Sequence, residues 1–363
     1  MENFKCFAGQ TFPFRSVTLF AGLNGMGKSS VLQALLLLRQ SHQQDLLRER
    51  GLALNGDLVH IGTAKDALYE EAEEERIQFG LAADCGVEAQ WGFRYDREAD
   101  VMGLDSGGVD PRVFEISLFT DDFRYLQAER IGPRAFFEMA DFQVRHHNQL
   151  GSRGEFTAHF LSVFGARRIP NGQLHHPNAK SDSLIDEVEA WMGEFSPGTR
   201  VEITPIAGMG LVNLQYAFIA GTQLSDKYRS TNVGFGLTYC LPVLVAVLAS
   251  SSRSLILLEN PEAHLHPKGQ VQIGQLLAIA TQGGAQVIVE THSDHLLNGI
   301  RLAVHTGRVP PTDIQLHFFQ PQERAAAGRV QIISPNLDSR GRIDVWPENF
   351  FDEWDKSLEA LLR

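Results

Sequence analysis

Short apolar runs alternate with polar, glycine-containing turns along the chain, and their spacing predicts a mixture of strands and helices. The runs between residues 77 and 127 are typical of antiparallel β-structure. Between residues 151 and 195 the period becomes helical, and Leu184, Val188 and Trp191 fall on one face. From residue 254 onward, apolar runs alternate with helical stretches, which predicts a parallel sheet. The predicted strands cover residues 3–7, 16–21, 77–83, 87–95, 113–119, 123–127, 201–206, 211–219, 254–258, 286–290 and 314–319, and the predicted helices cover 28–39, 155–168, 183–195 and 234–250.

One glycine-rich turn carries a phosphate-binding pattern. Residues 22–29 fit G-x-x-x-x-G-K-[ST] at every fixed position, and they lie between a predicted strand and a predicted helix. In such a loop the backbone N–H groups surround a phosphate, Lys28 supplies positive charge and Ser29 offers a hydroxyl to Mg²⁺. The predicted nucleotide-binding residues are Gly22, Leu23, Asn24, Gly25, Met26, Gly27, Lys28, Ser29 and Ser30.

Two carboxylates follow the predicted strand 254–258. In P-loop enzymes one carboxylate at this position holds Mg²⁺, and a second positions the attacking water. Glu259 stands at the metal-binding position, and Glu262 is the next carboxylate. His264 and His266 follow. A zinc site would need further ligands at suitable spacing, so we interpret both histidines as structural or adjacent to the nucleotide.

Two further segments are candidates for phosphate contacts. His292 follows the predicted strand 286–290, at the sheet edge where α/β folds bind ligands. Its imidazole either bonds a γ-phosphate or a water, or caps a helix. Asn232, Val233, Gly234, Phe235 and Gly236 open the predicted helix 234–250, where glycines suit either a phosphate or close helix packing.

In this order, the motifs resemble those of ABC-type ATPase heads, the class shared by chromosome-maintenance (SMC), RecF-like repair and OLD-family proteins. Residues 3–5 and 22–29 match the opening and the Walker A loop, 232–236 resembles a signature motif, 259–267 resembles Walker B with the D-loop, and His292 resembles the switch histidine. Residues 125–133 resemble a stretch common in this branch, which makes Gln127 the candidate for the Q-loop position and a further metal ligand. The tail 341–352, with its Trp-Pro-x-x-Phe-Phe-Asp sequence, resembles that of stand-alone bacterial AAA-type ATPases of phage-defence operons.

The resemblance implies an α/β fold, with a mostly parallel core sheet, an antiparallel β subdomain and a helical lobe. It implies ATP and Mg²⁺ as ligands, with Ser29 and Glu259 on the metal and Lys28, Glu259, Glu262 and His292 in catalysis. It also implies a head-to-tail dimer in which each nucleotide meets the partner's signature motif. The predicted division is an N-terminal ATPase lobe (1–134), a helical lobe with a hairpin (135–231), a C-terminal ATPase lobe (232–335) and a tail (336–363).

The sequence departs from this pattern at two positions. The family carries Asp-Glu at the end of Walker B, whereas this chain has Glu259-Asn260, and an amide cannot accept a proton as the usual glutamate does. Either Glu262 substitutes as the base, or turnover is slow and the protein is a long-lived ATP switch. The signature segment lacks the usual serine and paired glycines, so a hydroxyl contact is lost at 233–236.

Charge and composition exclude some classes of protein. Lys+Arg is 32 and Asp+Glu is 44, so a net charge of −12 excludes a globally basic nucleic-acid surface but not a local groove. Three cysteines give no disulfide framework, and the longest apolar run, 240–249, is too short to span a bilayer. We therefore expect a soluble cytoplasmic protein without membrane contact.

Three functions stay open. The leading hypothesis is a hydrolysing ATP switch that dimerises and regulates a separate effector, for example a nuclease, in anti-phage defence. A second is a repair ATPase that binds DNA directly, and a third is a module that binds ATP without turnover. The candidate basic residues for DNA are Arg124, Arg130, Arg134, Arg145, Arg153, Arg167 and Arg168. Phe4, Phe12 and Phe14 are candidates for an adenine contact, with core packing as the alternative.

Overall fold

The computed structural model describes residues 1–322, 330–348, 350–351 and 353–362, and the side chains at 353–355 lie outside the description. The strands are β1 (Glu2–Phe4), β2 (Phe7–Gly9), β3 (Val17–Gly22), β4 (Gly51–Ala53), β5 (Arg76–Ala83), β6 (Val87–Arg94), β7 (Val101–Val109), β8 (Phe123–Leu126), β9 (Phe137–Glu138), β10 (Thr199–Ile206), β11 (Leu211–Ala220), β12 (Gln223–Leu224), β13 (Tyr228–Arg229), β14 (Leu255–Glu259), β15 (Gln286–Glu290), β16 (Ile314–Pro321) and β17 (Val330–Ile333). The helices are α1 (Lys28–Gln43), α2 (Ala64–Ala67), α3 (Thr157–Phe164), α4 (Leu184–Gly193), α5 (Phe235–Leu248), α6 (Pro267–Ala280), α7 (Asp294–His305) and α8 (Glu353–Leu361).

The central sheet has the order β17-β16-β3-β15-β14-β8, and its strands are parallel except for β17. The inner strands of this sheet are buried on both faces. The unbroken apolar run of β14 agrees with this, because both faces of a buried parallel strand contact apolar side chains. Because β3, β15, β14 and β8 are parallel, their carboxyl ends meet at one edge. The prediction of an antiparallel strand at 123–127 was wrong in its direction, since β8 pairs with β14 in parallel.

A second sheet, in the order β2-β1-β5-β6-β7-β4, is antiparallel and forms one core with α1. The prediction of one strand at 3–7 was wrong, because the chain turns at Lys5, whose φ is 51°. The predicted strand at 113–119 is also wrong. Pro111–Glu115 is a 3-10 helix, and its first turn is capped by the Asp110 side chain, which accepts a hydrogen bond from the N–H of Arg112.

The helical lobe combines α3 and α4 with the β10–β11 hairpin, whose two strands pair from Thr199↔Phe218 to Ile206↔Leu211. Helix α4 begins after Ser183, whose side chain accepts a hydrogen bond from the N–H of Asp186. Helix α5 is almost wholly buried, which agrees with its continuous apolar sequence. The observed architecture confirms the predicted α/β class, with a mostly parallel core sheet, an antiparallel β subdomain and a helical lobe.

The C-terminal tail docks on the central sheet. Phe350 is fully buried, and its ring lies 4.9 Å from that of Phe318 in β16. Trp346 is 47% exposed, with the guanidinium of Arg301 stacked over its ring. Asn349 and Asp352 of the predicted tail motif lie outside the described residues. Within the described ranges, no helix combines the length and apolar character needed to cross a bilayer.

Candidate functional site

The phosphate loop owes its shape to glycine. Gly22, Gly25 and Gly27 have φ angles of 135°, 76° and 86°, which residues with a Cβ rarely adopt. A Cβ at Gly22 would overlap the carbonyl oxygen of Phe319, and one at Gly27 would overlap the thiol of Cys6. The loop is therefore fixed by backbone preference and by close approach of its neighbours.

The side chain of Lys28 is bound to the backbone of this loop. Its ammonium group donates hydrogen bonds to the carbonyl oxygens of Gly22 at 3.0 Å and Leu23 at 2.8 Å. Burial lowers the pKa of Lys28, and the nearby carboxylate of Glu290 opposes this shift. In a low-dielectric site this charge interacts strongly with any anion that enters the loop.

A cavity of about 390 Å³ opens over the loop. Its lining includes seven of the nine predicted loop residues together with His292. The other predicted residues do not line it: Gly22, Leu23, Glu259, Glu262, Gln127 and residues 232–236. The lining residues are Lys5, Cys6, Asn24, Gly25, Met26, Gly27, Lys28, Ser29, Ser30, Gln33, Glu290 and His292. A larger cavity of about 710 Å³ shares Cys6 with it.

Glu290 is an acidic site residue that the sequence analysis missed, and Lys5, Cys6 and Gln33 also line the cavity without having been predicted. Ser29 donates a hydrogen bond of 3.0 Å from its hydroxyl to Oε1 of Glu290, while Oε2 is buried without a hydrogen-bond partner. Burial and the adjacent Glu259 raise the pKa of Glu290 to about 7. The available signal was an acidic residue directly after the apolar run 287–289, two positions before His292.

Glu259, predicted to bind the metal, lies beside Glu290 in register on the neighbouring strand. Both of its carboxylate oxygens already accept hydrogen bonds, Oε1 from the hydroxyl of Tyr125 at 2.8 Å and Oε2 from the N–H of Ala128 at 3.1 Å. The carboxylate therefore ties β14 to the residues that follow β8. Gln127 lies in that same segment, and its N–H donates to the carbonyl of Ser152.

Glu262 is buried below His292. Its Oε1 accepts hydrogen bonds from the hydroxyl of Thr291 at 2.6 Å and from the N–H of His292 at 3.3 Å. Burial raises the pKa of Glu262. The imidazole of His292 faces the cavity, where burial and then Lys28 lower its pKa. A neutral imidazole at this point can donate to, or accept from, a phosphate or a water.

Arg130, which is fully buried, holds the end of β14 in place. Its guanidinium donates to the carbonyl oxygens of Asn260 at 2.6 Å, Glu259 at 2.8 Å and Gln127 at 3.3 Å. It also lies 5.5 Å from the ring centre of Tyr239 in α5. Arg130 and Arg124, both buried, are therefore not available as contacts for DNA.

The segment after β14 joins the site to the signature-like residues. Asn260 and His264 have left-handed φ angles of 44° and 65°. The His264 ring packs on the rings of Phe235 and Tyr239, at 5.4 and 4.5 Å between centroids. Phe235 is nonetheless half exposed, and Gly234 beside it has open space around it.

The remaining predicted residues have structural positions. His266 caps α6 by accepting a hydrogen bond from the N–H of Lys268 at 3.3 Å. Phe4 is fully buried, and Phe12 and Phe14 pack against the ring of Phe20. These contacts are those of core packing.

Sequence families match separate parts of the chain. An AAA-domain family matches residues 1–83, and a second AAA-domain family, linked in its description to the AbiEii toxin of a type IV TA system, matches residues 214–298. A protein family of unknown function (DUF3696) matches residues 309–361. No curated protein matches the chain.

Two solved structures resemble the chain over nearly its whole length. One is an Smc head bound to the C-winged helix domain of ScpA, with 12% identity, a TM-score of 0.53, and coverage of 93% of this chain and 96% of that one. The other is an Smc head with an extended coiled coil, bound to the C-terminal domain of ScpA and derived from Pyrococcus furiosus, with 13% identity, a TM-score of 0.50, and coverage of 100% and 98%. The chain thus has the α/β fold of an ABC/SMC-like P-loop ATPase head.

Proposed function

We propose that the chain binds and hydrolyses ATP and works as a molecular switch. The observation that carries the proposal is the phosphate loop, in which three glycines have left-handed φ angles and Lys28, Ser29 and His292 line one cavity. Lys28 and the loop N–H groups would bind the β- and γ-phosphates, and His292 would bond the terminal phosphate or the attacking water. When bound, Mg²⁺ would neutralise charge on the phosphates.

The proposed roles of the acidic residues follow from their contacts. Ser29 and a neighbouring carboxylate are the donor set for Mg²⁺, which prefers oxygen ligands. Glu290 places one carboxylate oxygen beside the Ser29 hydroxyl and leaves the other without a hydrogen-bond partner, which fits such an ion. Glu262 accepts a hydrogen bond from the His292 backbone and does not line the cavity. We therefore assign Glu262 to positioning His292, a role distinct from the base expected from the sequence.

Steady-state turnover with ATP and Mg²⁺ tests the proposal. Lys28→Ala should lower the rate at least about 100-fold, the range seen when one preorganised hydrogen-bond donor to a transition state is removed. Lys65→Ala, at an exposed lysine, is the matched control and should keep the rate. A wild-type protein that binds no nucleotide, or a Lys28→Ala variant with the wild-type rate, would contradict the proposal.

A second copy of the chain is the proposed partner for the nucleotide. Residues 232–236 form an exposed helix start, and they are absent from the lining of the chain's own phosphate cavity. An exposed helix N-terminus attracts anions, so it suits the γ-phosphate held by another copy in a head-to-tail dimer.

Light scattering with a non-hydrolysable ATP analogue tests this dimer. Gly234→Asp places a negative charge at the helix start, in open space, and aspartate is itself a good N-cap. It should keep the fold and abolish dimerisation, while Gly234→Ser, which adds no charge, should retain it. Equal dimer fractions for the two variants would exclude this surface.

We further propose that the switch regulates an effector protein in anti-phage defence. Support comes from the tail resemblance, and the similar Smc heads are themselves bound to domains of ScpA. The test is protection of a bacterial host against phage with wild-type and Lys28→Ala genes, together with native mass spectrometry of the tagged protein. Equal plaque counts with and without the gene would contradict the defence role. Direct DNA repair gains no support, because two of its candidate arginines are buried.

A further inference from the structure

We infer that Glu290 is the protein carboxylate that binds the divalent cation of the nucleotide, together with the Ser29 hydroxyl. This inference rests on the proposed nucleotide binding and deepens it. It moves the metal-binding role from the end of β14, where the sequence predicts it, to the end of β15. That strand lies directly beside β3 and the phosphate loop.

The first argument is the position of the two oxygen atoms. Ser29 Oγ and Glu290 Oε1 are 3.0 Å apart. Magnesium holds its six oxygen ligands at about 2.0–2.1 Å in an octahedron, so two adjacent ligands are about 3 Å apart. The pair therefore has the spacing of two neighbouring ligands before any ion arrives. Both residues also line the phosphate cavity, as ligands of a nucleotide-bound cation must.

The second argument is an unsatisfied group. Glu290 is only 6% exposed, and its Oε2 is a buried atom without a hydrogen-bond partner. A buried, unpartnered carboxylate oxygen is costly, and such atoms in native proteins commonly mark an ion or a catalytic role. A cation beside Ser29 would compensate for this charge. Lys28 already compensates for part of it, since its ammonium interacts with the Glu290 carboxylate.

The third argument concerns the competing residue. Glu259 is one strand further from the phosphate loop, and its two oxygens are held by Tyr125 and Ala128. It does not line the cavity. To bind the cation directly, Glu259 would have to break these contacts. Glu290 would give up only the hydrogen bond from Ser29, whose hydroxyl hydrogen would turn away from the ion while both oxygens bind it.

Manganese binding followed by electron paramagnetic resonance tests the assignment. Mn²⁺ is titrated into wild-type protein saturated with a non-hydrolysable ATP analogue, and into the variants Glu290→Gln and Glu259→Gln. We expect Glu290→Gln to weaken Mn²⁺ binding at least tenfold, and Glu259→Gln, its matched neighbour in register, to weaken it less. Equal affinity for wild type and Glu290→Gln, or a greater loss in Glu259→Gln, would overturn the inference.

Nucleotide binding in EDTA separates this inference from the proposed function. Without metal, Glu290→Gln should bind a fluorescent ATP analogue as tightly as wild type or more tightly, since a negative charge beside the phosphates is gone. If wild type binds no nucleotide in either condition, the proposed function fails. If nucleotide binds and Mn²⁺ affinity is insensitive to position 290, only the metal assignment fails. Glu290→Asp keeps the charge at a shorter reach and should retain more Mn²⁺ affinity than the glutamine variant.

Discussion

Arg130 offers the sharpest test of how the end of β14 is stabilised. Its guanidinium donates two short hydrogen bonds, to Asn260 and Glu259, and a longer one to Gln127. The arginine is fully buried, so the three carbonyl oxygens lose a buried partner when the side chain is removed. A hydrogen bond to a charged group contributes about 1.5–3 kcal/mol. Loss of the two short bonds in Arg130→Ala should therefore lower the free energy of unfolding by about 4 kcal/mol.

This loss is a large fraction of the roughly 5–15 kcal/mol that stabilises a typical domain. Urea unfolding monitored by circular dichroism, at fixed protein concentration and without nucleotide, measures it. Arg130→Lys keeps the positive charge but not the planar fork, so it should recover less than half of the loss. Arg134→Ala removes an exposed arginine and is the matched control.

The reasoning would be refuted if Arg130→Ala and Arg134→Ala had unfolding free energies within about 0.5 kcal/mol of each other, the usual range of surface substitutions. It would also be refuted if Arg130→Lys were as stable as wild type, because then charge alone, without the three-carbonyl geometry, would hold the segment.

Three further predictions concern other parts of the molecule. Gly22→Ala should lower the melting temperature more than Gly25→Ala. Both positions have a left-handed backbone, but only a Cβ at position 22 would overlap the neighbouring strand β16. Equal melting temperatures for the two variants would contradict this prediction. His317 is buried and its pKa is lowered mainly by burial, so the folded protein takes up this proton less readily than the unfolded chain. Stability should thus fall as the pH drops below about 6.5, and His317→Gln should flatten the decline in urea titrations between pH 7 and 5. Phe350→Ala should lower the free energy of unfolding by about 3–5 kcal/mol, because the Phe350 ring is fully buried. Trp346→Ala should lower it far less, because Trp346 is half exposed. Urea denaturation of both variants measures the difference.

The phosphate loop was predictable because its chemistry is contiguous in sequence. Glycines, a lysine and a serine at fixed spacing, between a strand and a helix, specify one local structure. His292 lines the same cavity as the loop, because residues that follow parallel strands share one edge of the sheet. Glu290 was missed because its position beside the loop depends on which strand pairs with β3. The local pattern of apolar and polar residues does not determine the order of strands in a sheet.

Two predictions of secondary structure were wrong or incomplete, and several functional predictions stay predictions. The apolar residues of 113–119 suggested a strand, but Pro111 and the Asp110 cap favour a 3-10 turn instead. Strand β7 was missed because its glycines and polar residues leave it largely exposed. The division at residues 134, 231 and 335 and the metal roles of Gln127 and Glu259 stay predictions.

The strained segment after β14 has a consequence for how the molecule can respond to a ligand. Residues other than glycine with φ angles in the left-handed region cost on the order of 1–3 kcal/mol each, and Asn260 and His264 both have such angles. The carbonyl bonds of Arg130 hold one end of this segment, and the rings of Phe235 and Tyr239 hold the other. This strain is comparable in size to the coupling free energies of about 1–3 kcal/mol typical of allosteric proteins. A shift of the segment after β14 would move His264 and with it the half-exposed Phe235. The surface that Phe235 presents to a second molecule would then depend on whether a ligand is bound in the phosphate loop.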